Sequence, residues 1–245
     1  MSRSVSLSVL TLRVRASGEA NRDAWFLSAE EGIFKATVFG GPKSRLRSQV
    51  APFHQGRLYL YHDPVRDSRK VTDFDVENWR PDLRKLYERI IAADTLAETV
   101  LATHGGGGGW GTALKLTGEA LDSLEHADEK TCVRIVLHFL WAWTEFLGSK
   151  PDLSRCVSCA CEGSGDGVLW YEVGEGGLYC DACRSDSGIR VGPGARRWLL
   201  AIQNLGSREA LRYNLDNSSL QQARALVLGI LTEALGTRLS LWDDF

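Results

Sequence analysis

Four cysteines constrain this chain more tightly than any other feature. Cys156-Val157-Ser158-Cys159 and Cys180-Asp181-Ala182-Cys183 form two Cys-x-x-Cys pairs with 20 residues between the inner cysteines, a spacing at which two tight knuckles can gather four sulfurs around one tetrahedral metal ion. Between them, Val168 to Val173 and Gly177 to Tyr179 read as two strands of a ribbon. A segment this small holds too little apolar material to fold without a staple. The expectation is one structural Zn²⁺ on Cys156, Cys159, Cys180 and Cys183. Four thiolates leave no coordination position open, so such a metal does not activate water. Cys161 is an alternative to Cys159 as ligand or else a free thiol, and Cys159 keeps the two-residue spacing. A disulfide pair is disfavoured in a chain that reads as cytosolic. A thioredoxin-type redox site would need one such motif at the start of a helix, not two in a ribbon.

The rest of the chain divides by periodicity. The first 80 residues read as five short strands separated by turn signals, at 5–14, 24–28, 33–39, 57–61 and 70–76. In the first, Val5, Leu7 and Val9 alternate, and Leu10, Leu12 and Val14 continue on the opposite parity, the pattern of a long strand with a bulge or a change of burial. Five such strands fit a small closed barrel, of which the OB-fold is the commonest nucleic-acid-binding type, although other small barrels fit equally. From Pro81 onward the spacing becomes helical, over Leu83 to Leu101, 113–124 and 130–147. It becomes helical again over 195–205, a short piece at 208–213, and 220–235. Gly105 to Gly109 reads as a flexible connection. With 44% hydrophobic and 24% charged residues in 245, the chain has material for a sizeable core. The expected fold is α+β and multidomain: an N-terminal OB-fold β-barrel at 1–80, an α-helical domain at 81–153 and 191–245, and a four-cysteine, zinc-ribbon-like module inserted at 154–190.

Charge limits the function. A formal net charge of -2 excludes a protein that coats nucleic acid by bulk positive charge, yet residues 1–70 carry 12 Lys/Arg against 6 Asp/Glu and residues 71–245 carry 17 against 25. Any polyanion site is therefore local, and the basic N-terminal third suggests contact at that end, with a solvated surface as the plain alternative. Read as extended chain, the loop Gly40 to Gln49 would put Lys43, Arg45 and Arg47 on one side about 6.6 Å apart, near the phosphate spacing of a strand; the plain alternative is a solvated loop. Arg13, Arg15, Lys35 and Arg57 on the neighbouring strands complete the candidate DNA-binding set. Of the nearby aromatics Trp25, Phe26, Phe34, Phe39, Phe53, Tyr59 and Tyr61, most should be core and one or two stacking platforms. There is no phosphate-binding loop, HExxH or nucleophile elbow, and Gly163-Ser164-Gly165 lacks the elbow's upstream glycine. His138 reads as a satisfied core histidine and Cys132 as a buried thiol. Arg3, Arg13 and Arg15 interrupt the first apolar residues, so no secretory signal is read, and 132–147 is too short and too charged to cross a bilayer.

Several blocks together resemble the RecO family of bacterial DNA repair proteins: the turn Gly18-Glu19-Ala20-Asn21-Arg22, the passage Gly32 to Arg47, Pro52-Phe53 leading to Gly56-Arg57-Leu58-Tyr59-Leu60-Tyr61, and above all Leu147 to Cys159 with Gly176 to Cys183. The resemblance implies an OB-fold, a helical domain and a zinc module inserted in it, with no bond-making or bond-breaking activity. It implies binding of single- and double-stranded DNA, annealing of complementary strands, and work with RecR and often RecF to load RecA onto strands covered by single-strand-binding protein. It also implies a place in the bacterial cytoplasm at the nucleoid. Carried over, the thiolates are Cys156, Cys159, Cys180 and Cys183 and the basic loop is Lys43, Arg45 and Arg47. Two other function classes stand beside this one. One is a protein-interaction adaptor with incidental DNA contact, and the other a zinc or redox enzyme using Cys161 or Cys132.

Overall fold

The computed structural model describes residues 4–41, 43–162, 167–185 and 187–244. Their contacts divide the chain into two units, Met1–His126 and Ala127–Phe245, so the helical stretch expected at 81–153 is shared between them.

The first unit opens with β1 (Ser4–Ser17), β2 (Asn21–Ser28), β3 (Gly32–Val38), a one-turn helix α1 (Arg45–Gln49), β4 (Gln55–Asp63) and β5 (Ser68–Asn78). The five strands close into a barrel in the order β1-β2-β3-β5-β4, with every pairing antiparallel except the short parallel join of β3 to β5 at Thr37 and Lys70. This is an OB-type barrel. Alternation fills its interior with Leu7, Val9, Ala24, Phe26, Phe34, Ala36, Leu58, Leu60 and Phe74, where Phe26 stacks on Phe34 at 5.4 Å and meets Phe74 edge-on at 6.5 Å. The change of parity in β1 is a bulge: pairing with β2 shifts register between Thr11 and Arg13. Before the shift Leu10 faces Leu27 across the ladder, and after it Val14 faces Ala24 and packs on the core.

Two helices, α2 (Tyr87–Ala102) and α3 (Trp110–Leu124), pack against β1 and β2. Leu10, Leu12 and Leu27, which the barrel interior does not take, are buried as well. The glycine run between the helices is a built turn, not the loose connection its composition predicts. His104 through Gly108 all have positive φ, a conformation that glycine adopts freely and other residues seldom do. Gly105 thereby lies against Leu27, Ile33 and Trp110.

One guanidinium joins this helical pair to the barrel. Arg80, 1% exposed, donates to Asp122 Oδ1 at 2.6 Å, the Phe53 carbonyl at 2.8 Å, Gln55 Oε1 at 2.7 Å and the Gly118 carbonyl at 3.4 Å. A side chain at Gly118 would meet Gln55 Oε1 at 2.9 Å, so α3 approaches the barrel end only because that position is glycine.

The second unit contains α4 (Glu129–Phe146), β6 (Leu169–Glu172), β7 (Gly177–Tyr179), β8 (Ile189–Val191), α5 (Pro193–Ile202), α6 (Ser207–Ala210) and α7 (Asn217–Leu235). Asp128 and Asp216 cap α4 and α7 by accepting from the backbone N–H groups of Thr131 and Ser219. Phe139 and Trp143 stack at 5.1 Å, and Trp141 donates to the Leu199 carbonyl at 3.0 Å. His138 is the satisfied core histidine expected: its Nε2 lies 3.0 Å from the Leu205 carbonyl and its Nδ1 3.4 Å from Ser207 Oγ. Burial lowers its pKa, although the Leu205 and Ile202 carbonyls oppose this. Cys132 is buried in α4. The ribbon gains a third strand, in the order β7-β6-β8, and β8 packs on α7. Three residues, Ile-Arg-Val, are too few to show a period in the sequence.

Removing Arg80 takes a donor from two buried carbonyls and from Gln55, while Asp122 keeps Asn78 Nδ2 as a donor at 2.8 Å. Arg80→Ala is expected to lower stability by about 2 kcal/mol through the carbonyls left without a donor, read as a lower urea midpoint. Arg84→Ala, which removes one exposed bond to the Pro52 carbonyl, should move it by less than about 0.5 kcal/mol.

Candidate metal centre and nucleic-acid surface

The two Cys-x-x-Cys segments fold as knuckles that face each other. The first closes through Ala160 N–H to the Cys156 carbonyl at 2.9 Å and Cys156 N–H to the Cys161 carbonyl at 2.7 Å. The second closes through the N–H groups of Cys183 and Arg184, both on the Cys180 carbonyl. Val157 N–H donates to the Leu178 carbonyl at 2.8 Å, tying the first knuckle to β7. The sulfurs of Cys156, Cys159, Cys180 and Cys183 lie within 4.8 Å of one another, with Cys159 and Cys180 3.7 Å apart. Sulfurs about 2.3 Å from a tetrahedral ion stand about 3.8 Å from each other, so the four could hold a metal ion. All six cysteines are free of disulfides, and Cys161 lies outside the four-sulfur set.

Electrostatics at the cluster points the same way. Burial pushes the Cys156 thiol up, but N–H groups of Cys159, Cys180 and Ser158 directed at its sulfur bring it down to about 6. At Cys183 the Ser158 hydroxyl pulls down, yet the crowded sulfurs of Cys159 and Cys180 and burial raise it to about 12. Packing four sulfurs together makes the first proton easy to lose and the last hard, and a central cation removes that conflict.

Arg196 of α5 supports the first knuckle from behind. Its guanidinium donates to the carbonyls of Leu153 (2.9 Å), Ser154 (3.2 Å), Glu162 (3.0 Å) and Gly167 (2.7 Å), gripping the chain on both sides of Cys156 to Cys161. Nothing in the sequence marks this residue, because its partners are backbone atoms about 30 to 43 positions away. The segment Gly163-Ser164-Gly165 lies outside the described residues.

On the barrel, strand register decides which cations share a surface. Arg13, Trp25 and Lys35 are cross-strand neighbours on β1, β2 and β3. In the next row stand Arg15, Asp23, Thr37 and Lys70. Arg15 lies over the Trp25 ring at 5.9 Å, and Lys70 lies over Phe39 at 5.1 Å, a ring that is 45% exposed. Asp23 is an anion within this field, 3.6 Å from Lys35 and accepting from the Thr37 hydroxyl at 3.0 Å, and Asp94 of α2 is a second, its carboxyl raised in pKa by burial against the pull of Arg13. Phe26, Phe34 and Phe53 are buried, leaving Trp25 and Phe39 as the rings on this side. The β2–β3 side thus carries three of the expected cations, Arg13, Arg15 and Lys35, together with Lys70, Trp25 and Phe39, whose part becomes visible only once the strands are paired.

The basic loop differs from its extended reading. Residues 45–49 form α1, where positions two apart point to nearly opposite sides and rise only about 3 Å. Arg45 and Arg47 therefore do not share a face. Lys43 and Arg45 are exposed, while Arg47 is half-buried; its carbonyl accepts from Arg22 of β2 at 3.3 Å, which ties α1 to the rim of the β2–β3 side. Burial and the charge of Arg47 lower the Arg22 pKa. Arg57 is not brought to this side. It sits on β4 between Ser8 and Asp75, beside Tyr59, whose hydroxyl Asp75 engages and pushes up in pKa.

Comparison with known proteins settles the family. The family described as "Recombination protein O N terminal" matches residues 1–78, and "Recombination protein O C terminal" matches residues 84–242. The chain belongs to the RecO family of DNA repair proteins. Relatives named DNA repair protein RecO include one from Heliobacterium modesticaldum, 29% identical over 89% of this chain and 80% of its own length. Another, from Synechococcus sp. (strain JA-3-3Ab), is 26% identical over 81% and 68%, and one from Maridesulfovibrio salexigens is 23% identical over 88% and 92%. The N-terminal RecO match ends where β5 ends, so it covers the barrel and its cationic side, while the C-terminal match spans the four-sulfur cluster. No helix among the described residues of this RecO family member is long and apolar enough to cross a membrane.

If Arg196 holds the first knuckle in place, its loss should loosen the metal site without removing a ligand. Arg196→Ala is expected to weaken metal binding about tenfold, read by titrating the apoprotein with cobalt(II) and following the thiolate charge-transfer band. Arg197→Ala, on the adjacent position of α5, should leave the titration unchanged.

Proposed function

We propose that this protein binds single-stranded DNA on the β2–β3 side of its barrel, anneals complementary strands, and works with RecR, and with RecF, to load RecA onto strands covered by single-strand-binding protein. The observation that carries the reading is the Arg13–Trp25–Lys35 row flanked by Arg15 and by Lys70 over Phe39. Cations spaced along paired strands neutralise phosphates, and rings between them offer stacking surfaces that accept any base. The same side of OB barrels is where oligonucleotides characteristically bind. The exposed Lys43 and Arg45 extend the path along the rim, Arg47 stays half-buried on the other side of α1, and Arg57 lies outside the path. Annealing needs no nucleotide hydrolysis: the protein lowers the repulsion between two strands, and base pairing supplies the match. Duplex DNA is held by the same backbone contacts, and the protein acts at the nucleoid in the cytoplasm.

The metal is one structural Zn²⁺ on Cys156, Cys159, Cys180 and Cys183, supported by the all-sulfur donor set and the tetrahedral spacing. Bound there, it supplies folding energy to the β6–β7–β8 module and no reactive position. The modules are proposed as a barrel at 1–80, helices at 81–153 and 191–245, and the zinc insert at 154–190.

Fluorescence anisotropy of a labelled single-stranded oligonucleotide at several salt concentrations tests the DNA reading. With four phosphate contacts, log affinity should fall against log salt with a slope of about -3. Arg13→Ala with Arg15→Ala and Lys35→Ala should flatten that slope by about 2 units, and Arg57→Ala should leave it nearly unchanged. No binding at low salt, alone or with RecR, would remove DNA from the mechanism and favour an adaptor that binds proteins. Separately, elemental analysis should find one zinc per chain, lost in Cys156→Ser and Cys180→Ser together with protease resistance of residues 154–190. A well-folded, metal-free protein would refute the structural zinc.

A further inference from the structure

We propose that Arg15 and Lys70 are movable covers on the rings of Trp25 and Phe39, which leave for the phosphates of an arriving strand and so open the rings to its bases; the inference rests on the DNA reading above. Arg15 lies over the Trp25 ring at 5.9 Å and Lys70 over the Phe39 ring at 5.1 Å, the same arrangement twice on one side of the barrel. Both cations are exposed, and the Phe39 ring with them. Among the described residues, every other cation seated on a ring is also fastened to a carboxylate. Arg69 over Phe34 pairs with Glu31 at 2.6 Å, Lys150 over Trp141 with Glu145 at 3.2 Å, and Arg184 over Trp170 with Asp181 at 3.0 Å. Arg15 and Lys70 have no carboxylate within ion-pair distance among the described residues. Asp23 stands opposite Arg15 across the ladder, yet its ion pair is with Lys35. The two cation–ring pairs without a carboxylate lock are therefore the two on the candidate DNA surface.

An unlocked cover moves at little cost. A cation over a ring at an exposed site is held weakly, whereas a phosphate offers it a charge-assisted contact and the release of a counterion. A base stacked on the ring is worth more than the exposed cation it displaces. Cation and base compete for the same solvent-facing surface, so a strand gains both partners only when it supplies both at once. A single strand does so: its phosphate takes the cation and its base takes the ring. A backbone without bases draws the cation away and puts nothing on the ring, so one contact is broken and not replaced. The rings thus act in opposite directions on the two kinds of strand. They strengthen the hold on a strand that has free bases and weaken the hold on one that presents phosphates alone.

The test compares two labelled strands of equal length, oligo(dT) and one made of abasic sites, by fluorescence anisotropy at low salt with the full-length protein. Phe39→Leu removes an exposed ring and keeps an apolar side chain. It should weaken binding of oligo(dT) about fivefold or more and strengthen binding of the abasic strand about two- to fivefold, because Lys70 no longer has a ring to leave. In a Lys70→Ala background the gain on the abasic strand should vanish. Trp25→Leu, alone and with Arg15→Ala, repeats the comparison at the second pair. An abasic affinity that both ring substitutions leave unchanged or lower means that the cations stay on their rings, and overturns the exchange; so does an abasic strand that the protein does not bind. Failure of the unaltered protein to bind either strand defeats the DNA reading and the inference with it, whereas binding of both without the reversal of sign defeats the inference alone.

Discussion

A single extra residue in β1 sets the chemistry of the barrel surface. Side chains alternate along a strand, so a strand offers two faces and its register decides which residues share one. Up to Thr11, β1 pairs with β2 so that Val9 and Phe26 turn inward and Leu10 faces Leu27. Continued without interruption, that register would set Arg13 opposite Ala24, inside the barrel, and burying an unpaired guanidinium there is costly. The shift between Thr11 and Arg13 reverses the faces. Val14 turns in against the core, and Arg13 and Arg15 turn out beside Trp25 and Asp23. The cationic side exists because the ladder slips by one.

The second unit answers a different constraint. Its strands β6, β7 and β8 have four, three and three residues, too little to stand as a sheet unaided. Two supports flank them. Sulfurs gather on one side, and on the other β8 rests on α7, where Glu233 accepts from the Tyr171 hydroxyl at 2.7 Å and from Gly174 N–H at 2.6 Å. Burial and that carboxylate raise the Tyr171 pKa well above its ordinary value, so the phenol stays a donor throughout the working pH range. Arg196 adds a third support from α5.

What the sequence displayed and what it hid follow from the range of the interactions involved. Periodicity is local, so the five barrel strands, the long helices and the change of parity in β1 are visible from apolar spacing alone, while the register shift behind that change appears only in the pairing. The cysteine pairs were visible because metal chemistry demands a fixed local spacing. Cross-strand rows are not local. Arg13, Trp25 and Lys35 are brought together by register, and Lys70 reaches the set only through the lone parallel pairing of β5 with β3. The loop cations misled for a related reason: three basic residues alternating with Ser44 and Leu46 look extended, whereas the chain after Ser44 coils into α1. Arg80 and Arg196 were invisible, since each is defined by carbonyls that distant segments supply.

The modest charge of the chain fits a mediator better than a coat. A protein with many phosphate contacts holds a strand too firmly to pass it on, because each contact adds to an affinity that must be undone. Here the cations on the β2–β3 side are few, and one, Lys35, is shared with Asp23, which the Thr37 hydroxyl also holds. On the proposed function, a carboxylate fixed among these cations repels the strand at close range and shortens its stay. Rings then matter more than charge. On that reading, stacking on Trp25 and Phe39 would favour unpaired bases over paired ones, because a base already stacked in a duplex has no free face to offer. On the proposed function, two strands that pair withdraw their bases from those rings, so annealing itself weakens the protein's hold and releases the product.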